Sequence, residues 1–273
     1  MNTILTLPDG TAVGTGLQTP ASLSTAFPLY EDAGPMLTDA QIADAAKSGA
    51  MRGKGRFGDD WVGNQRDKGS CNGWAGAKSL QRARVRRGLP RVNLSGAYLY
   101  SLINGGSDNG SMLDAGMAAI QSRGIATEET VPWDRIYPSL YDRAKADAEA
   151  SKNKGFECYA VRSRQALFSA LAVGFDCVVA VHADNGFMAL DSDGVAGGGN
   201  GPGNHAVLCD GLYWSARRGR PVGDGVNSWG LSYGDRGRMG LDWNAHFAPT
   251  TQYHVFYAIR STTDGGDSPP AAT

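Results

Sequence analysis

The stretch Asn64-Gln65-Arg66-Asp67-Lys68-Gly69-Ser70-Cys71 places an amide side chain and a thiol on one short loop. The helix-forming run Gly73 to Arg87 follows, so the thiol belongs at a helix N-terminus. There the macrodipole and unpaired backbone N–H groups favour an anion, and the expectation is a lowered thiol pKa and a nucleophilic thiolate. A free Cys is as a rule a small buried hydrophobe, so a catalytic reading needs partners elsewhere in the chain.

Partners stand downstream in Gly203-Asn-His205-Ala-Val-Leu-Cys-Asp-Gly and in Asn227-Ser-Trp229-Gly. His205 follows Cys71 by 134 residues and Asn227 by 156, close to the spacing of roughly 130–150 residues at which one thiol peptidase family carries its His and Asn. Between them lie Leu94-Ser-Gly-Ala-Tyr-Leu-Tyr, the run Asn109-Gly-Ser-Met-Leu-Asp-Ala-Gly to Gly124, and Thr130-Val-Pro-Trp133. Arg164-Gln-Ala-Leu-Phe-Ser-Ala-Leu and Val178-Val-Ala-Val come next. On these residues, from about 56 to 260, the chain resembles the papain-like cysteine peptidases, as a divergent bacterial or phage-type member.

The resemblance implies an α+β, two-lobed fold with a helical lobe, an antiparallel β-barrel-like lobe and a cleft between them. It implies an endopeptidase working through a thioester acyl-enzyme on a polypeptide substrate, with no cofactor and no metal. Cys71 would be the nucleophile, His205 the partner that holds the thiolate and protonates the leaving nitrogen, and Asn227 the group that orients the imidazole. Gln65, with the Cys71 backbone N–H, would form the oxyanion hole. Trp229 would shield the Asn–His bond, and Asn109, Gly110, Ser111, Met112 and Asn204 would line the substrate cleft, Met112 in an apolar pocket or in the core.

Two residues depart from the family pattern. Asn72-Gly73 stand between the nucleophile and Trp74 where a bulky aromatic should follow directly. Three helical positions turn a side chain by about 300°, against about 100° for one, so Trp74 does not replace the missing ring. Lys68 occupies the place of a disulfide cysteine, which argues for a reduced compartment. Amidase or transpeptidase action on peptidoglycan or isopeptides, and a structural part in a phage particle, are the competing functions.

Composition narrows the partners. Lys plus Arg number 26 and Asp plus Glu 27, a balance that gives no reason to expect nucleic acid. Arg82, Arg84, Arg86, Arg87 and Arg91 are read as a solvated helix face and C-terminal turn. The four cysteines include no Cys-x-x-Cys pair, which disfavours zinc, and Cys177 and Cys209 sit in apolar β-like runs that belong in a core. His182 is read as structural or cleft-lining, and His246 and His254 as surface or strand residues. Gly197 to Gly203 lacks the Gly-Lys-Ser/Thr of a phosphate loop and is read as a flexible cleft wall.

The N-terminus has no basic segment followed by a long apolar run, so no signal peptide is expected, nor a membrane span. The expected location is the cytoplasm, or a phage particle. The expected organisation is an N-terminal extension over 1–55, a helical lobe over 56–154, a β lobe over 155–262 and a flexible tail over 263–273. Within the extension, Thr38 and Gln41 have capping-box spacing ahead of a short helix. The extension is read as packing on the lobes or docking a partner protein, with self-inhibition as the lesser alternative.

Overall fold

The computed structural model describes residues 2–53, 57–155, 157–199, 201–260 and 262–263. The chain opens with a hairpin, β1 (Thr3–Thr6) against β2 (Ala12–Thr15), closed by the bond from Leu7 N to Thr11 O. A short helix α1 (Tyr30–Ala33) and α2 (Asp39–Ser48) follow. Thr38 and Gln41 make both halves of the expected capping box: the Gln41 N–H donates to Thr38 Oγ1, and the Thr38 N–H donates to Gln41 Oε1.

The helical lobe is built on α3 (Cys71–Arg86), with α4 (Gly96–Ile103), α5 (Leu113–Ser122) and α6 (Arg143–Ala150). Ala75, Ala77, Leu80 and Ala83 are all buried along α3. At the crossing with α4, Gly73 lies against the Gly96 carbonyl, where any Cβ would collide. Small residues therefore set how closely the two helices approach.

After a two-residue strand β3 (Lys154–Gly155), the β lobe comprises β4 (Cys158–Val161), α7 (Arg164–Ala172), β5 (Asp176–Val181), β6 (His205–Ser215), β7 (Arg220–Val226), β8 (Arg238–Leu241) and β9 (Phe256–Ile259). They form a six-stranded antiparallel sheet of order β4-β9-β5-β6-β7-β8. A last strand β10 (Thr262–Thr263) pairs with β3, so Thr263 ends a strand and does not begin a tail. Residues 264–273 of the expected tail lie outside the described residues. Among the described residues no helix is long and apolar enough to cross a membrane.

Helix α3 packs across β5 and β6 and is buried over most of its length, which overturns the solvated reading for Arg82 and Arg84, whereas Arg86 and Arg87 are half-buried and Arg91 is exposed. The Arg82 side chain is 0% exposed and stands 3.4 Å from Asp210, whose carboxylate also takes two bonds from Arg238 at 3.0 and 3.2 Å. Arg84 donates to Asn153 Oδ1 at 2.9 Å, and Arg86 to Asp176 Oδ1 at 2.6 Å. Phe57 closes over the Arg82 guanidinium at 4.8 Å. Asp210 lies at a bulge between Cys209 and Gly211 in β6, an irregularity that re-aims a side chain out of strict alternation. The two guanidinium groups hold the Asp210 carboxyl below its usual range against the opposing effect of burial.

Removing one partner of a buried ion pair strands the other charge. Asp210→Asn should lower unfolding stability by about 3–5 kcal/mol, read as a shift in denaturant midpoint. A loss within the scatter of surface substitutions would mean that Arg82 is solvated.

Candidate active site

The 64–71 loop is tied to the β lobe by backbone bonds. The Gln65 N–H donates to Ser228 O at 2.7 Å, and Asn64 bridges to Trp229. Arg66 takes a positive φ of 53°, turning the chain so that the Lys68 N–H returns to Gln65 O. Ser228 Oγ donates to Gln65 Oε1 at 2.5 Å. With its oxygen so engaged, the Gln65 amide presents Nε2 on the other side, where it meets Lys68 O at 2.6 Å and Gly14 O at 3.0 Å. Ser228 was not singled out in the sequence, although it sits between Asn227 and Trp229.

Cys71 is the first residue of α3, and its thiol lies near the N–H groups of Ala206 and Gly16. Ala206 is the residue after His205, so the thiol lies beside the start of β6. His205 opens β6 and Asn227 follows the last residue of β7; because these strands are antiparallel neighbours, residues 22 apart meet. The imidazole Nε2 lies 2.8 Å from Asn227 Oδ1, which also accepts the Ser228 N–H at 2.8 Å. Because that oxygen is an acceptor, the network assigns the ring proton to Nε2 and leaves Nδ1 as the free base. Among the described residues Nδ1 has no hydrogen-bond partner. Trp229 stacks on the ring at 4.4 Å and 24°.

Burial reverses the electrostatics expected of a helix N-terminus. It pushes the Cys71 thiol up to about 11, against the lowering influence of the Ala206 and Gly16 N–H groups. It pushes the His205 imidazole down to about 4, with the Asn227 bond opposing. Thiol and imidazole are both neutral at pH 7 in this closed arrangement. The dipole favours an anion, but removing the sulfur from water costs more.

What closes the site is the chain's own residues 14–18. The Gly14 N–H donates to Arg66 O, while the Gly14 carbonyl takes bonds from Gln65 Nε2 and, at 3.0 Å, from Trp229 Nε1. Gly16 O accepts the Ser111 N–H at 2.8 Å, and the Gln18 N–H returns to Ser111 O at 3.0 Å. Leu17 N donates to Asn204 O, and Gln18 Nε2 reaches the carbonyls of Asn109 and Gly110. This segment is extended and lies across the thiol. Gly16 is required there, since a side chain would strike the Gly69 carbonyl.

The other expected residues are placed as follows. Asn109, Gly110, Ser111 and Asn204 face this strap, and Met112 is 37% exposed at the entry to α5. Asn72, where an aromatic should stand, donates to Ser111 Oγ at 3.1 Å and to Met112 O at 2.7 Å. It fastens the 109–112 loop to α3. Asp108 supports the same loop, accepting from the Gly69 N–H and from Tyr100 Oη. His182 Nδ1 lies 2.9 Å from Pro202 O. His246 and His254 are not surface residues: both are buried, the first held by the Asp242 N–H and Gly197 O, the second by Gly203 O. All four cysteines are buried and unpaired.

A family model described as papain family cysteine protease matches residues 57–257. No curated protein matches the chain significantly in sequence. Among solved structures, xylellain, a cysteine protease from Xylella fastidiosa, superposes with TM-score 0.71 at 21% identity, over 91% of this chain and 96% of its own. The bromelain protease from Ananas comosus in complex with the E64 inhibitor gives 0.56 at 20%, over 74% and 92%. A recombinant stem bromelain precursor gives 0.65 at 18%, over 91% and 76%.

The neutral state of the thiol is measurable. In the intact chain, the thiolate absorbance lost on Cys71→Ser should titrate near pH 11, as the raised pKa requires. A midpoint below 7 would mean that the dipole prevails over burial.

Proposed function

Because the chain belongs to the papain family of cysteine proteases, we propose that it is an endopeptidase held latent by its own residues 14–18. In the open enzyme, His205 Nδ1 takes the Cys71 proton and the thiolate attacks a substrate carbonyl carbon. The oxyanion that forms accepts from Gln65 Nε2 and the Cys71 backbone N–H, the first aimed by Ser228. Collapse gives a thioester as the imidazolium protonates the leaving nitrogen, and water then releases the acid with His205 as base. Asn227 fixes the tautomer throughout.

The observation that carries latency is the use of the cleft's own backbone groups, Ser111 N and O and Asn204 O, by the strap. The strap survives there because it offers the sulfur an amide N–H, that of Gly16. The carbonyl bonded to Gln65 is Gly14's, two residues away.

Closure depends on pH with a definite sign. The His205 pKa is depressed to about 4 when covered and returns to roughly 6.5 in water. The open state therefore binds more protons between those values, and closure, complete above 6.5, weakens as pH falls toward 4. The Cys71 pKa is raised to about 11, so closure also weakens as pH rises from roughly 8.5 toward that value.

Deleting residues 2–18, or introducing Gly16→Val, should raise casein cleavage at pH 7 by at least about tenfold over the full chain, an opening worth about 1.4 kcal/mol. Full-length turnover equal to that of both variants would refute latency. Cys71→Ala and His205→Ala in the deleted chain should each abolish turnover, and cleavage of cell-wall peptides with none of casein would move the substrate to peptidoglycan. Separately, hydrogen exchange of the Leu17 amide in the full chain, corrected for its intrinsic rate, should be faster at pH 5 than at pH 7; a slower corrected rate would contradict the sign of the His205 shift.

A further inference from the structure

Beside α3, next to Asn64 and Arg66 of the loop, lies a cavity of about 250 Å³ that the proteolytic reading does not use. Lys78 forms one wall, and the residue is only 5% exposed. An ammonium has three donors, yet among the described residues Lys78 Nζ makes a single long bond, 3.5 Å to Gln81 Oε1, an oxygen that already accepts the Leu94 N–H. Trp74 lines the same cavity, and its buried indole N–H has no partner among the described residues. A buried cation and a buried donor left this poorly satisfied each cost free energy, which an acceptor in the cavity would recover.

The charges around the cavity define that acceptor. Asp60 is already engaged by Arg91, which bonds both its carboxylate and its carbonyl. Arg66 contributes a guanidinium lying 4.5 Å from the Trp133 ring. Glu128 contributes one carboxylate, with no ion pair to Lys78 within 4 Å. Two cations against one uncompensated anion leave a single positive charge. A monoanion completes it, whereas a dianion meets Glu128. The indoles of Trp74 and Trp133 give the rest of the ligand apolar, planar walls.

We propose that this cavity binds a small organic monoanion whose carboxylate is held by the Lys78 ammonium and whose body lies against the Trp74 and Trp133 indoles. Burial lowers the Lys78 pKa to about 8 in the empty cavity, so binding a carboxylate also restores its full charge and takes up a fraction of a proton at pH 8.

The test uses the full-length chain and calorimetric titration with phenylacetate, its neutral isostere phenylacetamide, and inorganic phosphate. Phenylacetate should bind at millimolar concentration or below, at least about tenfold more tightly than the amide, with phosphate weaker than phenylacetate. Lys78→Met occupies similar space without the buried charge and should lose at least about tenfold in phenylacetate affinity while keeping the melting transition. Glu128→Gln should bind phenylacetate no less tightly and gain affinity for phosphate. Equal binding of acid and amide, wild-type affinity in Lys78→Met, weaker phenylacetate binding in Glu128→Gln, or no phenylacetate binding up to about 10 mM would each overturn the assignment. Binding is read without turnover, so the result stands apart from the peptidase reading.

Discussion

The contact of α3 with the sheet through Arg82 and Asp210 is the constraint on which the site depends. Cys71 begins that helix, while His205 begins the strand that carries Asp210 five residues later. A shift of the helix along β6 would move sulfur away from imidazole and Gln65 away from Ser228 together. Apolar packing alone resists such a slide weakly, because Ala and Leu faces tolerate small displacements. An ion pair with both side chains fully buried does not, since partial separation strands two charges in a medium that cannot solvate them. The buried pair therefore fixes register, which matters because acyl transfer is sensitive to errors of about an ångström.

The strap acts on the same site through water rather than through position. Beneath it, Asn227 holds the His205 ring, Trp229 covers it, and Ser228 sets the Gln65 amide. What the strap removes is solvation, and with it the charge separation that makes a thiol nucleophilic. The latency we propose needs no distortion of the residues expected to be catalytic. It is reversible by displacing about five residues whose contacts are mainly backbone hydrogen bonds.

The pairing of His205 with Asn227 was legible in the sequence because the expected chemistry demands particular side chains in a fixed order, and the flanking helices announced themselves through apolar spacing and Ser or Thr caps. The strap was not legible. Gly14-Thr15-Gly16 binds through main-chain atoms that every residue possesses, and its selection for small size is visible only once Gly69 and Gly110 are found against it. Arg82 and Arg84 were misread for a related reason. A run of arginines on a helix is solvated by default, and the residues that reverse the default, Asp176, Asp210 and Asn153, lie far along the chain. The acidic residues inside the apolar strands Asp176-Cys-Val-Val and Leu208-Cys-Asp210 carried the missing signal, since a carboxylate in a buried strand requires a cation. His246 and His254 likewise became buried donors to the distant carbonyls of Gly197 and Gly203, which periodicity does not reveal.

One face of α3 brings these threads together. Cys71, Ala75, Lys78 and Arg82 recur at spacings of four, three and four, so they fall on a single stripe of the helix. Each polar member of that stripe meets burial differently. Cys71 sheds its charge and stays a neutral thiol. Arg82, whose guanidinium does not deprotonate in proteins, keeps its charge and is matched by Asp210. Lys78 has neither solution in full: its ammonium is covered, its pKa is only partly depressed, and its nearest carboxylates lie beyond ion-pair distance. Trp74 and Lys78 also line a small gap whose far wall is Asn227 and Ser228. On this stripe, where Cys71 is neutral and Arg82 faces Asp210, the incompletely matched cation is the one that borders open space large enough for a ligand.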